Sequence, residues 1–406
     1  MKILAGNKYL IKDDKTLTID KIPIFDFLRK SDTPMMIFLE DKIRDNIKSF
    51  IEVFNSVFSN FECFYSFKAN FLPEICEIVR SENIGAEVVG LPELNLALKV
   101  GFPPNNILVG GPYIPNDLIK KSIENEIKEI IIYNLNVLEK INECAKTHGI
   151  IQDICLRVNS TKYNSKLGVN LNESNIIKLI RIIKSCKNIN FKTILSHFST
   201  QMNNLDRFRI NVDSIIKNLT ILKNNEINIE NINLGGGFPE ATVMNQTQLE
   251  KIAIGIKKKL KEANILHEKI YFEPGRYFIG DAGIFLSKIV NVDDERWVFL
   301  NIGNHICPKF AKCSLRFYNV SQIDQPHKFE TSFAGIVPTD QDVLAKNYFF
   351  TKELKEGDLV LVSNVGAYCI TFSNRFPYSL PNIYLVRKEK IKQIYNNASG
   401  YDLSLK

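Results

Sequence analysis

Between residues 61 and 276 short β-rich runs alternate with longer amphipathic stretches, and no other property of the chain constrains its fold as tightly. The predicted strands are 62–66, 86–89, 106–109, 129–133, 153–158, 192–197, 231–234 and 269–272. Helical stretches such as 72–81, 116–125, 137–147, 176–185, 205–222 and 249–263 lie between them. A parallel strand pair needs a long crossover, and a helix supplies it, so this alternation argues for an α/β fold with a parallel sheet. About eight such repeats close a (β/α)8 TIM-like barrel. An open doubly wound sheet is the alternative. It fits less well, because polar residues follow nearly every strand instead of gathering at one switch point.

After Arg276 the pattern changes. Runs 284–292, 296–301, 358–363, 368–372 and 382–386 are apolar or alternating, with no long helical stretch between them, and predict an antiparallel β domain; Pro377 and Pro381 mark a loop. One more strand, 35–39, falls outside the eightfold count and is expected to pair with that domain. The predicted division is an N-terminal segment 1–40 packing with the C-terminal β domain, a barrel over 41–280, and the β domain over 281–406.

At 406 residues, with 45% hydrophobic and 24% charged, the chain has ordinary globular composition. No apolar run approaches the roughly 18 residues that span a bilayer, so no membrane partner is expected. The first dozen residues hold no sustained apolar core, which argues against a secretory signal. The 8 cysteines are scattered without a C-x-x-C pair, which suits reduced thiols in a cytoplasmic protein. The 5 histidines lack ligand spacing, so no metal site is predicted. The formal charge of +7 comes from dispersed lysines that read as solvated helix faces, which argues against a nucleic-acid partner.

The chemistry lies where the strands end. Phe64-Tyr65-Ser66-Phe67-Lys68-Ala69-Asn70 places a lysine at the end of an apolar strand; partial desolvation there lowers a lysine's pKa and suits it to form an imine with an aldehyde cofactor. Taken alone, Lys68 is better read as a lysine that snorkels out of a strand end. The other strand ends carry Glu87, Gly110-Gly111, Asn134, Arg157-Val158-Asn159, His197, Gly235-Gly236-Gly237 and Glu273-Pro274-Gly275-Arg276. Glycines without Cβ atoms let backbone N–H groups cradle a phosphate, with Arg276 as countercharge and the Thr200 and Tyr368 hydroxyls beside them. Glu273 can face a pyridine nitrogen and keep the ring cationic, although an ion pair with Arg276 is its structural alternative. His197 offers a flat face to stack on an aromatic ring, where a core histidine is the plain reading. Each residue alone has such a dull explanation, but together they make up a pyridoxal phosphate site.

On these motifs the chain resembles the fold-type III pyridoxal-phosphate decarboxylases, the group of diaminopimelate, ornithine and biosynthetic arginine decarboxylases. The resemblance runs from Leu17-Thr18-Ile19-Asp20 and Thr33-Pro34-Met35-Met36-Ile37-Phe38 to Gly366-Ala367-Tyr368. On the way it takes in Gly85-Ala86-Glu87-Val88, Glu93-Leu94, Ser165-Lys166-Leu167-Gly168 and His197-Phe198-Ser199-Thr200-Gln201. It implies an alanine-racemase-like barrel followed by the β domain. It also implies that Lys68 carries the cofactor as an imine, His197 stacks on the ring and Glu273 binds its nitrogen. Gly235, Gly236, Gly237, Arg276 and Tyr368 hold the phosphate by the same resemblance, and Glu87, Arg157, Thr200 and Gly275 complete the cofactor-binding set. A homodimer with shared active sites follows from it too, with Asp342 supplied across the interface to meet a substrate ammonium.

Two departures bear on the substrate. The family carries a cysteine in a Gly-Pro-x-Cys segment; here the segment is Gly335-Ile336-Val337-Pro338-Thr339-Asp340-Gln341-Asp342, and Pro338 has no proton to offer. A water, His305 or Cys307 are the candidates to protonate in its place. Diaminopimelate decarboxylases also place an arginine before the proline of Asn304-His305-Ile306-Cys307-Pro308, and Cys307 cannot grip a distal carboxylate. The Thr339 and Asp342 pattern resembles the subgroup of siderophore and antibiotic pathways, where unusual or carrier-bound amino acids are decarboxylated. The expected activity is therefore decarboxylation of an amino acid or amino-acid-like substrate, with diaminopimelate, ornithine or lysine decarboxylation proper as the narrower alternative. A racemase or oxidative deaminase on the same scaffold is disfavoured by Glu273. A non-catalytic regulatory homologue is disfavoured because Lys68, His197, Glu273 and Tyr368 are all present.

Overall fold

The computed structural model describes residues 1–13, 16–160 and 165–399, so residues 400–406 of the predicted β domain lie outside the described residues. The chain divides into two units, Ile47–Pro239 with Met244–Gly275, and Met1–Asn46 with Glu240–Val243 and Arg276–Lys406. The divisions fall at Asn46 and Gly275, where the sequence suggested 40 and 280.

The first unit is a closed barrel of eight parallel strands: Phe61–Ser66, Gly85–Val89, Ile107–Gly111, Glu129–Ile132, Gln152–Arg157, Ile189–Leu195, Asn231–Asn233 and Lys269–Phe272. The ring closes where the last strand pairs with the first, Ile270 opposite Phe61 and Phe272 opposite Cys63. Most strand residues are buried on both faces, as a parallel sheet wrapped by helices requires. Phe64, Leu108, Ile131, Cys155, Leu195 and Tyr271 fill the interior, with Tyr133 packed against them. The outer helices turn one apolar stripe inward. Gln246–Glu262 buries Leu249, Ile252, Ala253, Ile256 and Leu260, and a capping box formed by Asn245 and Gln248 satisfies its first N–H groups. The sixth strand ends at Leu195, two residues before His197, so the histidine belongs to the loop and not to the predicted 192–197 strand.

One buried carboxyl lies at the start of a barrel strand, at the opposite end from the candidate site residues. Glu129 is 1% exposed. One of its oxygens accepts from Thr193 Oγ1 at 2.9 Å and Tyr271 Oη at 3.2 Å, and the other has no partner among the described residues. Burial pushes its pKa from 4.5 to about 7. The folded state therefore binds this proton more tightly than the unfolded chain does. The stability it contributes is complete below pH 4.5 and is lost as the pH rises through about 7. Glu129→Gln is expected to gain on the wild type by roughly 3 kcal/mol between pH 5 and pH 8. Urea midpoints at the two pH values measure this, and an unchanged difference refutes it.

The second unit is β-rich. Met35–Leu39 pairs antiparallel with Gly283–Val292 on one side and parallel with Asn382–Arg387 on the other. Trp297–Leu300 and Phe329–Ala334 are also parallel. The sheet is therefore mixed and not purely antiparallel, because strands far apart in sequence are free to run either way. Lys2–Leu4, Asn7–Lys12, Leu17–Ile19 and Ile22–Pro23 form a separate four-stranded antiparallel sheet, and Leu4, Leu10, Leu17 and Ile19 share a core with Ile37, Ile284, Leu361 and Val386. The predicted strand 368–372 is a turn. Tyr368 has φ +68°, which no extended strand accommodates.

Candidate active site

Strand register brings the first two groups of the site together. Ser66 pairs with Glu87 across neighbouring strands, and its hydroxyl donates a short hydrogen bond to Glu87 Oε2. Lys68 follows on the tight turn Phe67–Ala69, with Nζ 3.5 Å from the same oxygen. The Glu87 side chain is 3% exposed and that of Lys68 39%, so the lysine is less enclosed than its strand-end position suggested. A Cβ on Gly275 would lie 2.7 Å from Ala69 Cβ, so glycine is needed there to let the 273–276 segment pass the lysine turn.

Glu273 and the glycine run are joined by a residue the sequence reading passed over. Asn233 Nδ2 donates to Glu273 Oε1 at 2.7 Å, and Asn233 Oδ1 accepts from the Gly235 N–H at 2.8 Å. One fully buried amide thus sets both the carboxyl and the start of the loop. Its signal was the Asn-x-Gly spacing, in which a side-chain oxygen takes a backbone N–H two residues on. Glu273 N donates to Gly235 O at 2.9 Å, which carries the strand pairing into the loop. At Gly236 a Cβ would stand 2.3 Å from Glu273 O, which forces glycine there. Burial first, then the Glu87 charge, raises the Glu273 pKa from 4.5 to about 7.

Arg157 is buried at 7% exposure and donates to Tyr133 Oη at 2.7 Å and to His197 O at 2.9 Å. Its guanidinium also lies over the Tyr133 ring, 4.6 Å from the centroid. It therefore fixes the loop that carries His197 and a tyrosine not singled out from the sequence. His197 Nδ1 is shut off from solvent with no partner among the described residues. Enclosure, then the Arg157 and Lys68 charges, push the His197 pKa well below its usual value, so the ring is neutral. Thr200 lies in the same loop, half-buried, between Ser199 and Met202, which pack against Gly237.

The remaining candidates belong to the β-rich unit. Arg276 is 3% exposed, 3.2 Å from Glu240 Oε1, and stacks over Tyr368 at 4.8 Å. The carboxylate beside Arg276 is thus Glu240, and the partner of Glu273 is Asn233. Asp342 lies in the same unit. It is 3% exposed, and its two oxygens accept from Val337 N of its own turn at 2.7 Å and from Asn304 N of another loop at 2.6 Å. A carboxylate held this way ties the 335–342 segment to the loop at Asn304. Asp342→Ala is expected to cost about 1–3 kcal/mol for each orphaned N–H. Chemical denaturation measures it, and an unchanged midpoint argues against the holding role. His305 is 2% exposed, and burial lowers its pKa to about 4; Cys307 is a buried thiol with its pKa pushed up.

The barrel unit thus offers a reachable amine, two buried carboxyls, a neutral imidazole with an unpartnered nitrogen, and glycine backbone that no Cβ could replace. These residues fit pyridoxal phosphate, and comparison with known proteins agrees. Residues 41–280 match the family model described as pyridoxal-dependent decarboxylase, pyridoxal binding domain. The diaminopimelate decarboxylase of Methanocaldococcus jannaschii is 24% identical over 100% of this chain and 98% of its own, and that of Staphylococcus aureus 24% identical over 94% and 95%. A crystal structure of the M. jannaschii diaminopimelate decarboxylase superposes with TM-score 0.86 at 23% identity, covering 97% of this chain and 96% of that one. The lysine/ornithine decarboxylase of Vibrio vulnificus, complexed with putrescine, gives TM-score 0.74 at 18% identity over 90% and 98%. The chain belongs to the pyridoxal-dependent decarboxylases and is a pyridoxal-phosphate-dependent carboxy-lyase.

Proposed function

We propose that this protein releases carbon dioxide from a small amino acid and yields the corresponding amine. The observation that carries the reading is the pairing of Lys68 with Glu87 beside a second buried carboxyl, Glu273, clasped by Asn233. Bound pyridoxal phosphate supplies an aldehyde that captures an amine and a cationic ring that accepts the electron pair left when carbon dioxide departs. The chain's own groups prepare for that chemistry. Glu87 Oε2 gives the Lys68 ammonium a place to leave its proton, which frees a nucleophilic amine. Glu273, its plane fixed by Asn233 Nδ2, is the seat for a ring N–H. The neutral His197 ring can stack without adding charge. Gly235 has committed its N–H to Asn233, so the phosphate nest falls to the Gly236 and Gly237 N–H groups. His305 is held neutral by burial and the Cys307 thiol is pushed up, so neither is a ready acid, which favours a water as the proton donor in place of the missing family cysteine.

The relatives are diaminopimelate, lysine and ornithine decarboxylases, which supports a diamino acid or an analogue of one. Cys307 carries no charge where a diaminopimelate enzyme keeps an arginine, which favours a substrate whose far end is not a free carboxylate. Lysine, ornithine and a carrier-tethered amino acid meet that condition. We also assign a homodimer with shared sites. Phe310 and Phe372, 71% and 40% exposed, pack edge to face at 4.7 Å, and an exposed aromatic pair of this kind suits a second copy of the chain. Asp342 remains the acid assigned to a substrate ammonium across that interface, with the exposed Asp340 at the tip of the same turn.

Incubating the holoenzyme with ornithine, lysine, diaminopimelate and carrier-tethered amino acids, with trapped carbon dioxide as readout, tests the activity. Gas release from a substrate without a distal carboxylate is the expected result. Racemised substrate with no gas would overturn decarboxylation, and a fully active monomer in gel filtration would overturn the dimer.

A further inference from the structure

Three cysteines that the proposed activity does not use come together in the β-rich unit. Cys313 Sγ lies 3.6 Å from Cys369 Sγ and 3.7 Å from the Ala367 carbonyl oxygen, and Cys307 interacts with both other thiols. Cys307 and Cys369 are buried, at 4% and 0% exposure, while Cys313 is half-buried and sits on a coil between Ala311 and Arg316. No group of three His, Cys, Asp or Glu side chains among the described residues is arranged to hold a metal ion, so the chemistry open to this cluster is that of thiols. We propose that it is a peroxide-responsive site, in which Cys313 reacts and Cys369 closes a reversible disulfide.

Three features favour Cys313 as the reacting group. It is the most accessible of the three, its sulfur is surrounded by donors, and the Arg276 guanidinium is close by. Hydrogen bonds from Cys307 and Cys369, then the Arg276 charge, hold its thiol well below the usual range, whereas Cys307 and Cys369 are pushed up. A thiolate beside protonated thiols is the arrangement in which one sulfur attacks and the next resolves. With hydrogen peroxide as oxidant, the Cys313 thiolate attacks one peroxide oxygen. An S–O bond forms, the O–O bond breaks, and hydroxide leaves and is protonated to water. The Cys369 sulfur then gives up its proton and attacks the Cys313 sulfur, forming S–S as the hydroxyl departs with that proton as a second water. Two thiols lose two electrons, and one peroxide is reduced to two waters.

Closing the gap from 3.6 Å to a bond of about 2.05 Å needs movement on one side. Cys369 is fully enclosed at 0% exposure, whereas Cys313 is half-buried on the 312–315 coil. The Cys313 coil therefore moves, and its contact with Arg276 changes with it. The site does not depend on the decarboxylase reading.

The test treats the whole wild-type protein with stoichiometric hydrogen peroxide, alkylates it without reductant, and maps the peptides by mass. A Cys313–Cys369 cross-linked peptide is expected, reversible by dithiothreitol, with Cys63, Cys76 and Cys155 still alkylatable after unfolding. Cys144, partly exposed and with no thiol neighbour, is the reference, and Cys313 should react about tenfold faster. In C369S the reaction should stop at a Cys313 sulfenic acid that dimedone traps. A cross-link to Cys307, overoxidation without a cross-link, or a Cys313 rate no faster than Cys144 would each overturn the proposal.

Discussion

Alanine at position 68 will remove the visible absorbance of bound pyridoxal phosphate and lower carbon dioxide release by roughly 10²–10⁴-fold, the range of a positioned proton-transfer group. Two functions are lost at once. The amine that takes the cofactor covalently goes, and so does the proton that Lys68 Nζ can pass to Glu87 Oε2 across 3.5 Å. The fold should survive, because the Lys68 side chain is 39% exposed and fills no core position. Far-ultraviolet dichroism and melting temperature should therefore match the wild type while the spectrum and turnover change. A retained visible band with near-normal turnover would remove Lys68 from the site.

Glu273→Gln is the second large effect, and it has two opposite signs. Turnover should fall about 10²–10³-fold, as when an oriented electrostatic partner is removed. Cofactor should still bind through Lys68 and the glycine loop. The cofactor-free protein should, however, become more stable in alkali. The Glu273 pKa is raised from 4.5 to about 7, so the wild-type folded state holds a proton there that it must give up as the pH climbs. The stability that this carboxyl contributes is present below 4.5 and lost through about 7, and a neutral glutamine avoids the loss. Denaturation of the cofactor-free variant at pH 5 and pH 8, set beside its turnover, separates the two signs. Equal stability at both pH values relative to wild type would show that the carboxyl is not held out of water as described. An enzyme keeping such a strained acid gives up stability for activity, a common bargain at functional sites.

Periodicity reveals the barrel because each of its strands is a short apolar run flanked by amphipathic helix. All eight are found within a few residues of the runs read from the sequence. The β-rich unit is harder to read. Strand direction there depends on which distant partner each strand meets, and alternation of residues carries no such information. The run 368–372 is apolar enough for a strand, but its backbone turns at Tyr368. In the site, the charged and glycine residues stand out by type. Ser66, Tyr133 and Asn233 are ordinary residues, marked only by register and by the contacts they make. Asp342 is marked by its place in the family motif, and its contacts with Asn304 N and Val337 N follow only from the fold.

The position of Met35–Leu39, between one strand that starts at Gly283 and another that starts at Asn382, sets an order on synthesis at the ribosome. Its five residues are all fully shielded in the finished molecule, yet they leave the exit tunnel long before either neighbour exists. The barrel segments from Ile47 to Gly275 can assemble while translation continues, but this early strand must wait for nearly the whole message to be read. Until then Met35-Met36-Ile37-Phe38-Leu39 is a sticky, uncharged β-former, and a chaperone's protection of the nascent chain matters most there.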